Sequence, residues 1–156
     1  MEFHNILITV SGTEADEQAV RLACTLSKKN KGKIWAVYVI TVKRALPLEA
    51  EIDSEIRKGE EVLDHVESIA EEQGSEIGTD LLQAREVGPA IVDAAVELGV
   101  DLILMGVTYK RRFGQFTMGN VVPYVLKNAP CRVILYHQYT PPTEEATHTP
   151  PSEVTT

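Results

Sequence analysis

The stretch that decides the fold is Asp101-Leu-Ile-Leu-Met-Gly-Val-Thr-Tyr-Lys-Arg-Arg-Phe-Gly-Gln-Phe-Thr-Met-Gly-Asn120, which leads into an apolar helical pattern over residues 121–126. Its first five residues are typical of a strand that is buried on both faces, as in a parallel sheet. A strand, a basic loop with glycines and a new helix form an anion-binding cradle, because glycines allow close backbone approach and the helix offers unpaired N–H groups.

The same stretch reverses the charge of the chain locally. The 156 residues have a formal net charge of −8, yet no Asp or Glu occurs between Gly106 and Gln138, and Lys110, Arg111 and Arg112 stand together. This favours phosphate binding as the first functional hypothesis. The alternative, a solvated basic loop, remains open at this point.

Strands alternate with helices along the rest of the chain. Apolar runs predict strands at residues 6–10, 33–40, 79–84, 101–105 and 131–136. Helical periodicity and caps predict helices over about 13–29, about 49–73, from 88 onward, and after Asn120, which is a natural N-cap. We therefore expect an α/β fold: an open five-stranded parallel sheet with helices on both faces, which binds ligands beyond the carboxyl ends of its strands.

Composition sets the domain organisation and the compartment. One domain is predicted over residues 1–138, followed by a Pro/Thr-rich tail over 139–156 that is too polar to order itself. A pI near 5.0 argues against nucleic-acid binding, which needs a broad positive field. Neither a secretory signal nor a run of ~20 apolar residues is found, so we expect a cytoplasmic protein without membrane insertion.

Four features of the sequence are similar to one known family. They are the opening Asn5-Ile-Leu-Ile-Thr-Val-Ser-Gly-Thr-Glu14, the segment Gly99-Val-Asp-Leu-Ile-Leu-Met-Gly106, the closing Val125-Leu-Lys-Asn-Ala-Pro-Cys-Arg-Val133, and the order of strands and helices. On these features the chain resembles the universal stress protein family over roughly residues 3–137. The resemblance implies a five-stranded α/β sandwich that is usually dimeric.

In the nucleotide-binding branch of that family, Gly-x2-Gly-x9-Gly-(Ser/Thr) follows the fourth strand. Gly106 and Gly119 match the first and third glycines at the kept spacing, whereas Tyr109 replaces the second and Asn120 replaces the Ser/Thr. The family's Asp at the end of the first strand is Ser11 here.

The cofactor that the resemblance implies is ATP or another adenine nucleotide. We expect weak binding, because three signature positions differ, while Arg111 or Arg112 could compensate through charge-assisted contacts. The candidate nucleotide-binding residues are Val10, Ser11, Gly12, Val39, Gly106, Tyr109, Arg111, Arg112, Gly119, Asn120 and Val121.

No catalytic motif stands out in the sequence. The four His are scattered without metal-ligand spacing, and Gly-x-Ser-x-Gly is absent. We therefore expect no catalytic residues, no metal and no enzymatic activity. Two functions stay open: a non-catalytic regulatory protein that binds adenine nucleotide weakly in the stress response, or a nucleotide-independent dimeric interaction module, stress or transporter-associated, with a degenerate ATP motif.

The predicted fifth strand is the expected dimer seam. The resemblance implies that this strand lies at a sheet edge, and Val133, Ile134 and Leu135 make it apolar. An exposed apolar edge invites aggregation unless it is covered, and pairing with its own copy about a two-fold axis closes the assembly.

Overall fold

A computed structural model describes residues 2–107 and 119–137 with their side chains, and the backbone alone of residues 110–112 and 115–117. The elements of this part of the chain are β1 (Asn5–Thr9), α1 (Glu14–Lys28), β2 (Lys33–Thr41), α2 (Asp53–Glu72), β3 (Gly78–Ala84), α3 (Val87–Leu98), β4 (Leu102–Val107), β5 (Lys110–Arg112), β6 (Gln115–Thr117), α4 (Val121–Asn128) and β7 (Arg132–His137).

Five strands form one parallel sheet in the order β3-β2-β1-β4-β7. The predicted open parallel sheet is therefore confirmed. The chain builds outward from β1 to β2 and β3, and then returns to the other side of β1 with β4 and β7. The carboxyl ends of β1 and β4 consequently flank the point where the strand order reverses, which is where open α/β sheets bind ligands.

The helices cover the two faces of the sheet in pairs. Ile6, Ile8 and Leu104 belong to a core with side chains of α1 and α2, whereas Leu7 and Ile103 belong to a second core with side chains of α3 and α4. Successive strand residues point to opposite faces, so a continuous apolar run serves both cores. Both faces of the central strands are thereby buried, as the sequence predicted.

One helix boundary differs by several residues from the sequence prediction. The helix predicted from about residue 49 begins at Asp53. Residues Pro47–Ala50 form a turn instead, and the Gln83 side chain donates hydrogen bonds to the carbonyls of Leu48 at 2.9 Å and Ala50 at 2.8 Å. Because these carbonyls are satisfied from β3, the segment does not need helical hydrogen bonds.

The segment predicted as a plain basic loop contains a small hairpin. β5 and β6 pair antiparallel, with Arg111 opposite Phe116. Strands of three residues are too short to show an alternating pattern, so periodicity does not predict them.

The predicted tail after residue 138 lies outside the described residues. Within the described chain, no helix has the length and apolar character that crossing a membrane requires.

Candidate functional site

A cavity of 330 Å³ lies at the carboxyl ends of β1, β2 and β4, on the side of the sheet covered by α3 and α4. Its walls are mainly aliphatic and include the first turn of both helices. The lining residues are Thr9, Val10, Ser11, Val37, Tyr38, Val39, Val87, Ile91, Met105, Gly106, Val107, Val121 and Val122. Such a concave, largely apolar space suits a flat uncharged ring better than a charged group.

The cavity brings together several of the predicted site residues from the loop after β1, from β2, from β4 and from the start of α4. Those that line it are Val10, Ser11, Val39, Gly106 and Val121. Gly12 instead lines a groove between α1 and α2, and Asn120 lines a groove beside the cavity. Gly119 follows the hairpin with a φ of 70° and lines neither space. Tyr109 and the side chains of Arg111 and Arg112 lie outside the described residues.

Most of the apolar wall was missed by the sequence reasoning. Val37 lies two residues before Val39, and Met105 lies two residues before Val107, so each pair points to the α3 and α4 face of its strand. The period of two could have identified these residues once the ligand face of the sheet was known. Ile91 of α3 and Val122 of α4 gave no comparable signal, because helices bury apolar residues for packing alone.

Gly106 is needed for packing as well as for the cavity wall. A Cβ atom placed there would lie 3.0 Å from both the Cβ and the carbonyl oxygen of Ala15, at the start of α1. Such a contact is tighter than nearly all Cβ contacts in proteins, so β4 and α1 approach each other closely at this glycine. The family resemblance gave this glycine a ligand-side role, whereas the structure adds a role on the opposite face of the sheet.

The loop after β1 holds a buried carboxylate. Asp16 is 4% exposed, and its carboxylate accepts hydrogen bonds from the backbone N–H groups of Gly12 at 2.6 Å, Ser11 at 3.1 Å and Thr13 at 3.2 Å. Gly12 adopts a φ of 88°, which brings the consecutive N–H groups around one anion. Burial raises the pKa of Asp16 above its ordinary value, and these hydrogen bonds lower it in part.

Asp16 therefore fills an anion-binding loop with an anion from the protein itself. The sequence predicted a capping box from Thr13 to Asp16, and the bond from the Thr13 N–H to Asp16 agrees with it. The additional bonds from Ser11 and Gly12 were not predicted. As a result, the backbone N–H groups of Ser11, Gly12 and Thr13 all donate to the carboxylate of Asp16.

A polar groove of 420 Å³ adjoins the apolar cavity, and both spaces are lined by Val87 and Val121. The lining residues with polar groups in their side chains are Thr41, Arg85, Glu86, Asn120 and Tyr124. The Nη1 atom of Arg85 donates to the carbonyl oxygens of Val42 at 3.3 Å and Lys43 at 2.6 Å. These bonds fix the guanidinium beside the loop that follows β2. Arg85 was not among the predicted site residues.

The start of α4 differs from the prediction in one respect. Asn120 occupies the position before the helix, but its side chain makes no capping hydrogen bond. Its backbone is already helical, with φ −103° and ψ −12°, whereas a capping residue needs an extended backbone. Asn120 therefore does not cap the helix.

No group of three or more His, Cys, Asp or Glu residues in the described part of the chain is arranged to hold a metal ion. The chemistry of the region is thus that of an apolar cavity, a neighbouring polar groove and a loop whose N–H groups are occupied by Asp16.

Comparison with known proteins identifies the family of the chain. The family model for the universal stress protein family matches residues 2–137. A universal stress protein of Methanocaldococcus jannaschii is 32% identical over 139 residues, which are 85% of this chain and 81% of that protein.

Solved structures agree with the fold. The universal stress protein from Archaeoglobus fulgidus in complex with dAMP matches 86% of this chain and 98% of its own, with a TM-score of 0.68 and 24% identity. A universal stress protein family protein from Arabidopsis thaliana with AMP bound matches 92% of this chain and 98% of its own, with a TM-score of 0.60 and 12% identity. At these identities the likeness concerns the fold alone, but the family model spans nearly the whole described chain, and this protein belongs to the universal stress protein family.

Proposed function

We propose that this protein is a non-catalytic regulatory protein of the stress response that binds an adenine nucleotide weakly. The observation that carries the proposal is the apolar cavity at the carboxyl ends of β1, β2 and β4, at the point where the strand order reverses. The base and ribose would occupy this cavity, with Val39 on one wall and Ser11 at its rim. The Archaeoglobus protein with dAMP and the Arabidopsis protein with AMP share the fold that provides such a cavity.

Two features support weak rather than tight binding. The N–H groups of Ser11, Gly12 and Thr13 are held by Asp16, so that loop has none to offer a phosphate. Asn120 places an amide where the family signature has a hydroxyl. The remaining candidates for phosphate contact in the signature loop are Arg111, Arg112 and the backbone around Gly119 and Val121.

The base pocket is tested by filling it. Val39→Phe adds a ring to the cavity wall, and we expect it to abolish the binding heat of AMP in calorimetric titration. Val96→Phe is the matched control, because it adds the same ring on α3 at a position that is 62% exposed and does not line the cavity. Equal affinity of both variants and the wild type would show that the cavity is not the site.

A second measurement asks whether nucleotide accompanies the protein at all. Protein purified without added ligand is denatured, and the released small molecules are identified by mass spectrometry. Adenine nucleotide in the supernatant supports the proposal. No released nucleotide, together with no binding heat for adenosine, AMP or ATP, contradicts it.

The arginines of the signature loop are tested separately. The double variant Arg111→Ala, Arg112→Ala should weaken ATP binding about tenfold or more, because one charged hydrogen bond contributes ~1.5–3 kcal/mol. Equal ATP affinity in the wild type and the double variant would remove these two residues from the proposed site.

We further propose that the protein is a homodimer through β7. β7 pairs with β4 on one side and is the last strand of the sheet on the other. Its residues Val133, Ile134 and Leu135 are only half-buried in the single chain. A second copy would cover this apolar edge and extend the sheet.

The nucleotide-independent dimeric module remains the second candidate, favoured by the occupied loop around Asp16. It predicts a dimer that survives in solution and shows no binding heat for any adenine ligand.

A further inference from the structure

The cavity leaves open where the phosphates of a bound nucleotide would go. Its walls carry aliphatic side chains, its lining residues include Thr9 and Ser11, and none of them is a cation. A phosphate has to leave this space, because burying its charge without a partner costs several kcal/mol or more. Apart from the signature loop, whose side chains lie outside the described residues, the described part of the chain offers two directions at the edge of the cavity, and they differ in charge.

The first direction, toward the loop after β1, is closed. The carboxylate of Asp16 already accepts the N–H groups of Ser11 and Gly12, and it contributes negative charge beneath the loop. A phosphate placed there would lie close to the negative carboxylate of Asp16, and the backbone N–H groups that could bind it already donate to that carboxylate. Moving Asp16 aside would leave a buried carboxylate without its hydrogen bonds, which is costly.

The second direction is the polar groove, which meets the cavity at Val87 and Val121. Arg85 is the one cation among the described residues that line the groove and the cavity. Thr41 and Asn120 add a hydroxyl and an amide, which can also donate hydrogen bonds to an oxyanion. The groove therefore supplies the partners that the cavity lacks.

The two hydrogen bonds that position Arg85 beside the groove use only one of its three side-chain nitrogen atoms. Its Nη1 atom donates to the carbonyls of Val42 and Lys43, whereas a guanidinium carries five N–H donors spread over three nitrogens. Within the described part of the chain, the ion pairs involve His4 and Arg21 and do not include Arg85. The two carbonyl bonds hold the side chain in place, so little rotamer freedom remains to be lost on binding.

We propose that Arg85 determines specificity at this site: it makes the protein bind AMP more tightly than adenosine. This inference rests on the proposed function. Glu86 lines the same groove, so the described lining carries one cation and one carboxylate. Because Arg85 is the one cation, we expect the first phosphate group to bring most of the gain in affinity.

The test is calorimetric titration of the full chain with adenosine and with AMP at low salt. Arg85→Gln removes the charge but keeps an N–H donor for the neighbouring carbonyls. Arg44→Gln is the matched control, because Arg44 is exposed in the loop after β2 and lines neither the groove nor the cavity. We expect Arg85→Gln to lose AMP affinity about tenfold or more while adenosine affinity is unchanged, and Arg44→Gln to alter neither. Arg85→Lys should recover part of the AMP affinity.

Unchanged AMP affinity in Arg85→Gln overturns the inference, and two further results do so while leaving the proposed function intact. One is an equal loss of adenosine and AMP affinity in Arg85→Gln, which would show that Arg85 only holds the loop after β2. The other is a wild type that binds adenosine and AMP equally well. A wild type that binds neither ligand overturns the proposed function and this inference together.

Discussion

Asp16 makes the stability of the folded protein depend on pH. Burial raises the pKa of its carboxyl above the ordinary value of 3.8, and the N–H groups of Gly12, Ser11 and Thr13 offset only part of that rise. In the window between 3.8 and the raised pKa, the folded protein holds a proton that the unfolded chain has released. Stability contributed by this group therefore increases as the pH falls through the raised pKa, and is complete below 3.8.

This dependence can be isolated with Asp16→Asn, which keeps an oxygen acceptor but does not titrate. We expect the free energy of unfolding of the wild type to rise relative to the variant as the pH is lowered from neutral toward 3.8. Urea denaturation at a series of pH values measures both proteins. A difference between them that stays constant with pH would contradict the assignment.

Gly106→Ala should destabilise the folded protein. The added methyl group would lie 3.0 Å from the Cβ and carbonyl oxygen of Ala15, so β4 or α1 would have to shift slightly. Overpacking of this kind costs roughly 1–3 kcal/mol, which urea denaturation resolves. Adding Ala15→Gly relieves only the contact between the two methyl groups, so the double variant should recover part of the loss. An unchanged stability in Gly106→Ala would show that α1 can move at little cost.

At the scale of elements, β7 provides a test of the proposed dimer. Successive N–H groups of a strand point to opposite edges, so one of the variants Val133→Pro and Ile134→Pro removes an N–H that faces away from β4. That variant should keep its thermal midpoint and sediment as a monomer, since only the ladder between copies loses a donor. The other variant should lose stability by breaking the pairing with β4. A dimer that persists in the variant with unchanged stability would place the seam elsewhere.

The order of elements could be predicted from the sequence because each signal is local. β1 and β4 are continuous apolar runs, and α1 opens with acidic residues and the Thr13–Asp16 cap. The turn before α2 was predicted as helix, because local patterns do not show that Gln83 binds the carbonyls of Leu48 and Ala50 from a strand more than thirty residues later. Patterns of apolar and capping residues over a few positions do not predict contacts between residues so far apart in the sequence.

The site was predicted only in part, for a similar reason. Val10 and Val39 follow from the rule that ligands of open α/β sheets bind near the carboxyl ends of the strands, and Val121 from the N–H groups at the start of a helix. The place of Arg85 in the groove depends on how the end of β3 lies beside the starts of α3 and α4, which no single segment shows. The occupied loop around Asp16 requires the backbone geometry of Gly12, which the residue type permits but does not prescribe.

At the scale of the whole molecule, the tail should be dispensable for folding. Residues 139–156 are rich in Thr, Pro, Glu and Ser, and offer no apolar face to bury. Truncation after Gln138 should leave the thermal midpoint nearly unchanged. Truncation after Asn128 serves as the contrast, because it also removes β7 and should lower the midpoint sharply. A fall of many degrees on removing the tail alone would mean that it packs on the domain or on a second copy.

The uniform direction of the five strands has a consequence for an assembly joined at β7. A two-fold axis perpendicular to the sheet reverses every strand in the second copy. The edge formed by the carboxyl ends of the strands in one subunit, where the cavity lies, would then adjoin the edge formed by the amino ends of the strands in the other subunit. The two cavities would open toward opposite poles of the assembly, so a partner docking at one pole would sense the occupancy of a single cavity.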